Sequence, residues 1–260
     1  MASNATTVVR EVAKDVWIFS TPFKRLGVVP IGGRSTAVKL SNGDVWVLAS
    51  TPLNDVTKEK LKELGPVKWI IGADAVHHLF LGGAYCDFKR EYPDAKLIAV
   101  DEAIKKKVDE GLKFDGAWGA DPPNTKYGFE NDIQHCYFSG FKNKDVAFFH
   151  PASKSLIEAD LLFNLPPTEQ YSKSDESMSL PLASRLLSSN GAFGSRFSWW
   201  LATDKEYVFK LFRTQTAHHP SIPHSRAMKR DAATVAGWDF ERIIPCHGVR
   251  ECFTNEREFA

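Results

Sequence analysis

The sequence is poor in cysteine: Cys86, Cys136, Cys246 and Cys252 are the only four in 260 residues, and no two are spaced as C-x-x-C. No Cys/His ladder of zinc-finger spacing accompanies them. Residues 1 to 10 are small and polar and lack the charged-then-apolar pattern of a secretory signal. Free thiols in a reducing, cytoplasmic compartment are therefore expected. Long apolar runs are missing too; the longest reach about five residues, against the roughly 20 that span a bilayer. Charge of one sign is also lacking, since 33 Lys and Arg face 32 Asp and Glu. No strong field then draws the chain to nucleic acid or an anionic membrane, and no basic run is interleaved with aromatics as a single-strand binder requires. The expected partner is a small-molecule substrate, with no nucleic acid and no membrane.

What is present is an ordinary globular composition, 43% hydrophobic and 25% charged, on a chain long enough for one large core. A single domain over 1–260 is expected. Val16 to Ser20 reads as a strand. Ser35 to Leu40 and Val45 to Ala49 flank Asn42-Gly43, a hairpin signal of the type I′ kind. Asn54 or Thr57 caps a helix that Gly65-Pro66 ends after Leu64. Lys68 to Gly72 follows as a buried strand. Ala84, Phe88 and Tyr92 share one helix face, Lys96 to Val100 is a strand, and Asp101 opens a short Lys-rich helix. Residues 114–129 read as a Gly/Pro-rich loop. Strands are expected over 133–138, 145–150 and 155–160, a helix over about 204–212, another over about 225–236, and a last strand at Arg242 to Pro245. The Ser-rich, Leu-bearing stretch at about 165–200, closing on Trp199-Trp200, is too apolar for a plain linker and predicts a lid or insertion.

The histidines collect where strands end. His77 and His78 follow the Lys68 to Gly72 strand, His150 ends another, Asp160 ends a third, and His247 follows Arg242 to Pro245 directly. Ligands and catalytic groups gather where the strands of an α/β sheet run out into loops. Two or three imidazoles and one carboxylate supply enough donors for one zinc or iron ion. His218, His219 and His224, in a Pro-rich loop, read as surface residues. Cys246 reads as a small buried thiol, and Asp74 as a turn residue or a substitute carboxylate.

Three segments in order resemble the metallo-β-lactamase superfamily. Residues 67–100 (VKWIIGADAVHHLFLGGAYCDFKREYPDAKLIAV) resemble its strand, His-x-His-x-Asp-His ladder, Gly-Gly, helix and Tyr-Pro-x-Ala turn. Residues 158–163 (EADLLF) resemble its Gly-Asp-x-Leu-Phe segment, and residues 243–248 (IIPCHG) its late His-Gly strand. The resemblance implies a four-layer αββα sandwich. Aligned on Gly82-Gly83, Ala75 takes the first His position of the ladder, His77 the second, Leu79 the Asp and Phe80 the third His; the later Gly-His motif falls at Gly140-Phe141. A degenerate branch with a His-His-Leu motif is implied, in which the two-metal site cannot be built.

His77, Asp160 and His247 are the expected catalytic residues, and His77, His78, His150, Asp160 and His247 the expected metal-ligating set. Four readings follow. One is a hydrolase of a small ester, lactone or thioester working through a single zinc. Another is a mononuclear non-haem iron enzyme. A third is a metal-free pocket that binds an apolar molecule or rearranges it by acid–base groups such as His77 and His150. A purely structural or interaction protein ranks last.

Overall fold

The computed structural model describes residues 6–25, 27, 29–77, 87–107, 109, 111–176, 224–248 and 252–253. The first sheet begins with strands β1 (Val8–Ala13), β2 (Val16–Thr21), β5 (Gly33–Lys39) and β6 (Val45–Leu48), paired antiparallel in that order. It continues with β7 (Val67–Gly72), β8 (Lys96–Val100) and β9 (Gly116–Trp118), each parallel to its neighbour. Parallel neighbours need crossovers, and these carry helices α1 (Asp55–Leu64), α2 (Asp87–Glu91) and α3 (Asp101–Lys105). A separate ribbon, β3 (Lys24–Arg25) and β4 (Val29–Pro30), stands between β2 and β5. The second sheet has the order β10 (Gln134–Tyr137), β11 (Val146–His150), β12 (Ser155–Glu158), β13 (Arg242–Pro245) and β14 (Cys252–Phe253). Helix α4 (His224–Ala236) packs Met228, Ala232 and Val235 on Phe149, Leu156 and Ile243 of that sheet.

The two sheets meet face to face. Trp46 of β6 meets Phe148 of β11 edge-on, with ring centroids 4.9 Å apart. Phe129 joins them from the loop before β10, 6.2 Å from Trp46. Alternation along β11 sends Phe148 to this inter-sheet core and Phe149 to the layer beneath α4. With buried Leu61, Phe88 and Ala103 of the crossover helices in the first core, the layers run helix, sheet, sheet, helix.

Most expected elements form within a residue or two of their predicted ends. Asn54 caps α1, its Oδ1 accepting the Thr57 backbone N–H at 3.0 Å. The Asn42-Gly43 turn differs from type I′. Only Gly43 has positive φ (88°), and Gly43 N donates to Leu40 O while Leu40 N donates to Asp44 O. This is the three-residue loop that ends on a left-handed glycine; Asn42 instead turns its Oδ1 to Asp44 N. The 114–129 stretch is not wholly loop, because β9 forms within it and pairs with β8. Strands β1, β3, β4 and β14 are additions, each short or interrupted by polar residues. Ala84 and the 204–212 helix lie outside the described residues, as does the 177–200 part of the expected lid. Among the described residues no helix is long and apolar enough to cross a membrane.

Because Phe148 bridges the sheets, Phe148→Ala should cost about 3–5 kcal/mol in urea denaturation. A loss below about 1 kcal/mol would mean that the facing side chains close the gap without it.

Candidate metal centre

Three strand ends and one ribbon build a polar cluster at one edge of the sandwich. After β7 the chain turns at Asp74, whose Oδ1 accepts the backbone N–H groups of Val76 (2.6 Å) and His77 (2.7 Å). The other oxygen, Oδ2, lies 2.6 Å from His77 Nδ1. Asp74 thus makes the turn, the first of the two roles expected for it, and also orients the imidazole; it is not among the three side chains that converge below. A carboxylate only accepts, so Nδ1 carries a proton and Nε2 points away into the cluster.

His247 is set by a second route. Its Nδ1 lies 2.6 Å from the Gly32 carbonyl and must donate to it. Its ring stacks on Phe163, with centroids 5.0 Å apart and planes 5° from parallel. Gly248 N donates to Ile31 O and Asn164 N to His247 O. At Gly248 (φ 101°) a Cβ would fall 2.0 Å from Asn164 O, so only glycine fits there. The third member, Asp160, leaves β12 with its backbone N–H on Asp145 and its Oδ2 taking Asn143 Nδ2 at 2.8 Å. Asn143 O also accepts Ala75 N, so one residue ties the His77 turn to Asp160.

The three side chains converge. His77 Nε2 and His247 Nε2 are 3.1 Å apart, His247 Nε2 and Asp160 Oδ1 are 3.2 Å apart, and the donor atoms all lie within 4.8 Å of one another. Asp160 Oδ1 is buried with no donor aligned on it, although His247 Nε2 lies 3.2 Å away. A tetrahedral ion with bonds of about 2.0–2.1 Å holds its ligand atoms roughly 3.3 Å apart. The residues therefore fit one metal ion: two imidazole lone pairs and one orphaned carboxylate oxygen face a common point.

Without an ion, two Nε2 lone pairs would oppose each other at 3.1 Å, and a proton is needed between them. The electrostatics agree. Burial pushes His77 down, but the charge and hydrogen bond of Asp74, then the charges of Asp160 and Asp145, raise it to about 9. Burial pushes Asp160 up, but His247, His77 and Asn143 hold it below the usual carboxylate range. Behind them Asp145 and Glu158 are driven well up, by burial first and then by their acidic neighbours.

His150 does not join the cluster. It ends β11, whose start adjoins Asp145, and so lies roughly 16 Å of strand away, hydrogen-bonded to Ser153 Oγ at 2.7 Å. The β11–β12 pair is antiparallel, so residues that end these two strands point to opposite edges. His78 lies outside the described residues. Cys246 is a buried free thiol pushed well up by burial, with Sγ 3.2 Å from Ser50 Oγ, not an activated nucleophile. Cys136 is likewise free.

Several supporting residues carried no motif. The Arg34 guanidinium is fully buried and donates to Ser20 Oγ, Pro245 O, Gly248 O and Glu169 Oε1. Gln170 also donates to Gly248 O. Neither Arg34, in a strand that also carries Ser35, Thr36 and Lys39, nor Asn143 offered a signal in residue type. Over the centre opens a cavity of about 820 Å³, with His77, Asp160 and His247 in its lining.

Solved structures share this fold. A metallo-β-lactamase from Pontibacter korlensis superposes with a TM-score of 0.53 at 11% identity, over 95% of this chain and 94% of its own. The chain has the metallo-β-lactamase fold. The Pseudomonas aeruginosa metallo-β-lactamase FIM-1 in its mono-zinc form superposes over 95% of this chain and 89% of its own, with a TM-score of 0.53 at 10% identity. A metal-soaked Flv1 flavodiiron core from Synechocystis gives a TM-score of 0.57 at 12% identity, over 93% of this chain and 56% of its own. No family model and no curated protein matches the sequence.

The raised His77 has a signed consequence for the metal-stripped protein. A folded-state value of about 9, above the ordinary 6.5, adds stability that is complete below pH 6.5 and lost as pH rises through 9. The thermal midpoint should fall over that window, and Asp74→Asn should flatten the fall. Equal pH slopes in the two proteins would mean that Asp74 does not hold the proton on His77.

Proposed function

We propose that the protein is a hydrolase-like enzyme acting on a small ester, lactone or thioester through a single metal ion held by His77, Asp160 and His247. The observation that carries this reading is the convergence of two neutral-capable Nε2 atoms and the orphaned Asp160 Oδ1 at spacings a single ion accepts. Three protein ligands leave a tetrahedral ion one open position, the pattern of catalytic rather than structural sites. When bound there, zinc supplies a water whose pKa is lowered to about 7 and a Lewis acid for a carbonyl oxygen.

The chain's own residues do the rest. Asp74 and the Gly32 carbonyl fix the tautomers of His77 and His247, as outer partners of ligating imidazoles do. Phe163 and the backbone bonds of Gly248 hold the His247 ring in place. Phe23, 6.3 Å from the His247 ring, stands on the wall of the cavity above the centre. The mono-zinc form of a protein with this fold supports the one-ion reading. Two imidazoles and a carboxylate also suit Fe(II), and the likeness to a flavodiiron core keeps iron as the second reading. The buried Ala75, at the first position of the expected ladder, supports a reduced site within this fold.

Elemental analysis of protein purified anaerobically without chelator is the test. About one zinc or iron per chain is expected, lost in His247→Ala, with ester hydrolysis lost alongside. Absence of metal from a folded wild type would replace this reading with the metal-free pocket. Retention of stoichiometric metal by His247→Ala would move the site elsewhere.

A further inference from the structure

The cavity above the centre is walled by apolar groups that ordinary folding would bury. Among the described residues the only exposed large hydrophobic side chains are Phe23 (41% exposed) and Val76 (36%), and both line this one cavity, together with Pro22, Ile31 and Pro52. Neither is a frayed loop tip. Phe23 O accepts three donors, Ile31 N (3.1 Å), Gly32 N (3.0 Å) and Tyr171 Oη (2.9 Å). Val76 is pinned through its own N–H to Asp74 and directly precedes the ligand His77. Two apolar side chains are thus held rigidly in solvent on the wall of a polar centre, and such placement marks a binding surface.

Away from the centre the wall carries no net charge: Lys24, which follows Phe23 on the ribbon, pairs with Glu176 at 2.9 Å, and Arg25 and Asp175 add one charge of each sign to the lining. A volume of about 820 Å³ suits a small molecule of drug size rather than a polymer. We infer that the substrate carries an apolar acyl group, packed on Phe23 and Val76 while its carbonyl carbon lies at the His77–Asp160–His247 end of the cavity. The inference rests on the hydrolytic reading only for the fate of that carbonyl; the acyl-binding wall stands on the exposed side chains themselves.

A series of straight-chain carboxylates, butanoate to decanoate, tests it by isothermal titration calorimetry on the full-length protein as purified. Affinity is expected to rise up to about fourfold per methylene, the equivalent of roughly 0.8 kcal/mol for each one buried. The rise should be blunted in Phe23→Ala and in Val76→Ala, both truncations of exposed side chains that leave the core intact. Affinity independent of chain length, or no binding at any length, overturns the inference, as does an unchanged slope in both variants. Graded binding without hydrolysis of the corresponding esters would uphold the acyl pocket and remove the hydrolytic reading. Hydrolysis indifferent to chain length would do the reverse.

Discussion

The buried Arg34 guanidinium holds the two sheets and the site in one arrangement. A guanidinium cannot shed its charge at any ordinary pH, so burial is tolerable only if its donors are met. They are met by groups from distant parts of the chain: Ser20 on β2, Pro245 O at the end of β13, Gly248 O just beyond it, and Glu169. Glu169 in turn takes Arg10 from β1 at 2.6 Å, and the two cations, with Ser20, hold its carboxyl below the usual range against the upward push of burial. First sheet, second sheet and the 164–176 segment are thereby required to meet at one point. Two of its acceptors, Pro245 O and Gly248 O, lie two residues before and one residue after His247, so the tolerance of a buried charge for misplacement becomes the tolerance of the site.

Around the centre the same logic runs on carboxylates. Four acids, Asp74, Asp145, Glu158 and Asp160, are buried within a few residues of two imidazoles. They divide by environment. Asp74 accepts three N–H donors, and Asp160 is held low by the imidazoles and Asn143. Asp145 and Glu158 each keep an oxygen with no partner and are driven upward. Asp160 on one side and Asp145 and Glu158 on the other are thus pushed toward opposite protonation by position alone.

This division explains what the sequence disclosed and what it withheld. Helices and strands with clear punctuation, such as Asn54 to Gly65 or Arg242 to Pro245, were legible because capping and alternation act locally. The edge strands β1 and β14 were not, since their pairing depends on neighbours far along the chain. At the site, His77, Asp160 and His247 stood out through their places at strand ends and in motifs. His150 looked equivalent in the sequence, because a strand end carries no sign of which edge of the sheet it reaches; antiparallel pairing with β12 decides that. Asn143 and Gly32 contribute an amide and a carbonyl to the cluster, and neither contribution leaves a pattern in residue type.

Charge balance then argues for one ion rather than two. In the metal-free state two acceptor carboxylates, Asp74 and Asp160, face a proton held between His77 and His247. A single divalent ion in place of that proton would leave both imidazoles neutral, as ligation requires, and would match the two carboxylates. A second divalent ion would need further anions, and the remaining acids, Asp145 and Glu158, lie in surroundings that oppose ionisation. The first position of the expected ladder is filled by Ala75, whose methyl group offers no donor and whose N–H is committed to Asn143 O. A donor set of His77, Asp160 and His247 would thus be complete in charge with one divalent cation and overcharged with two.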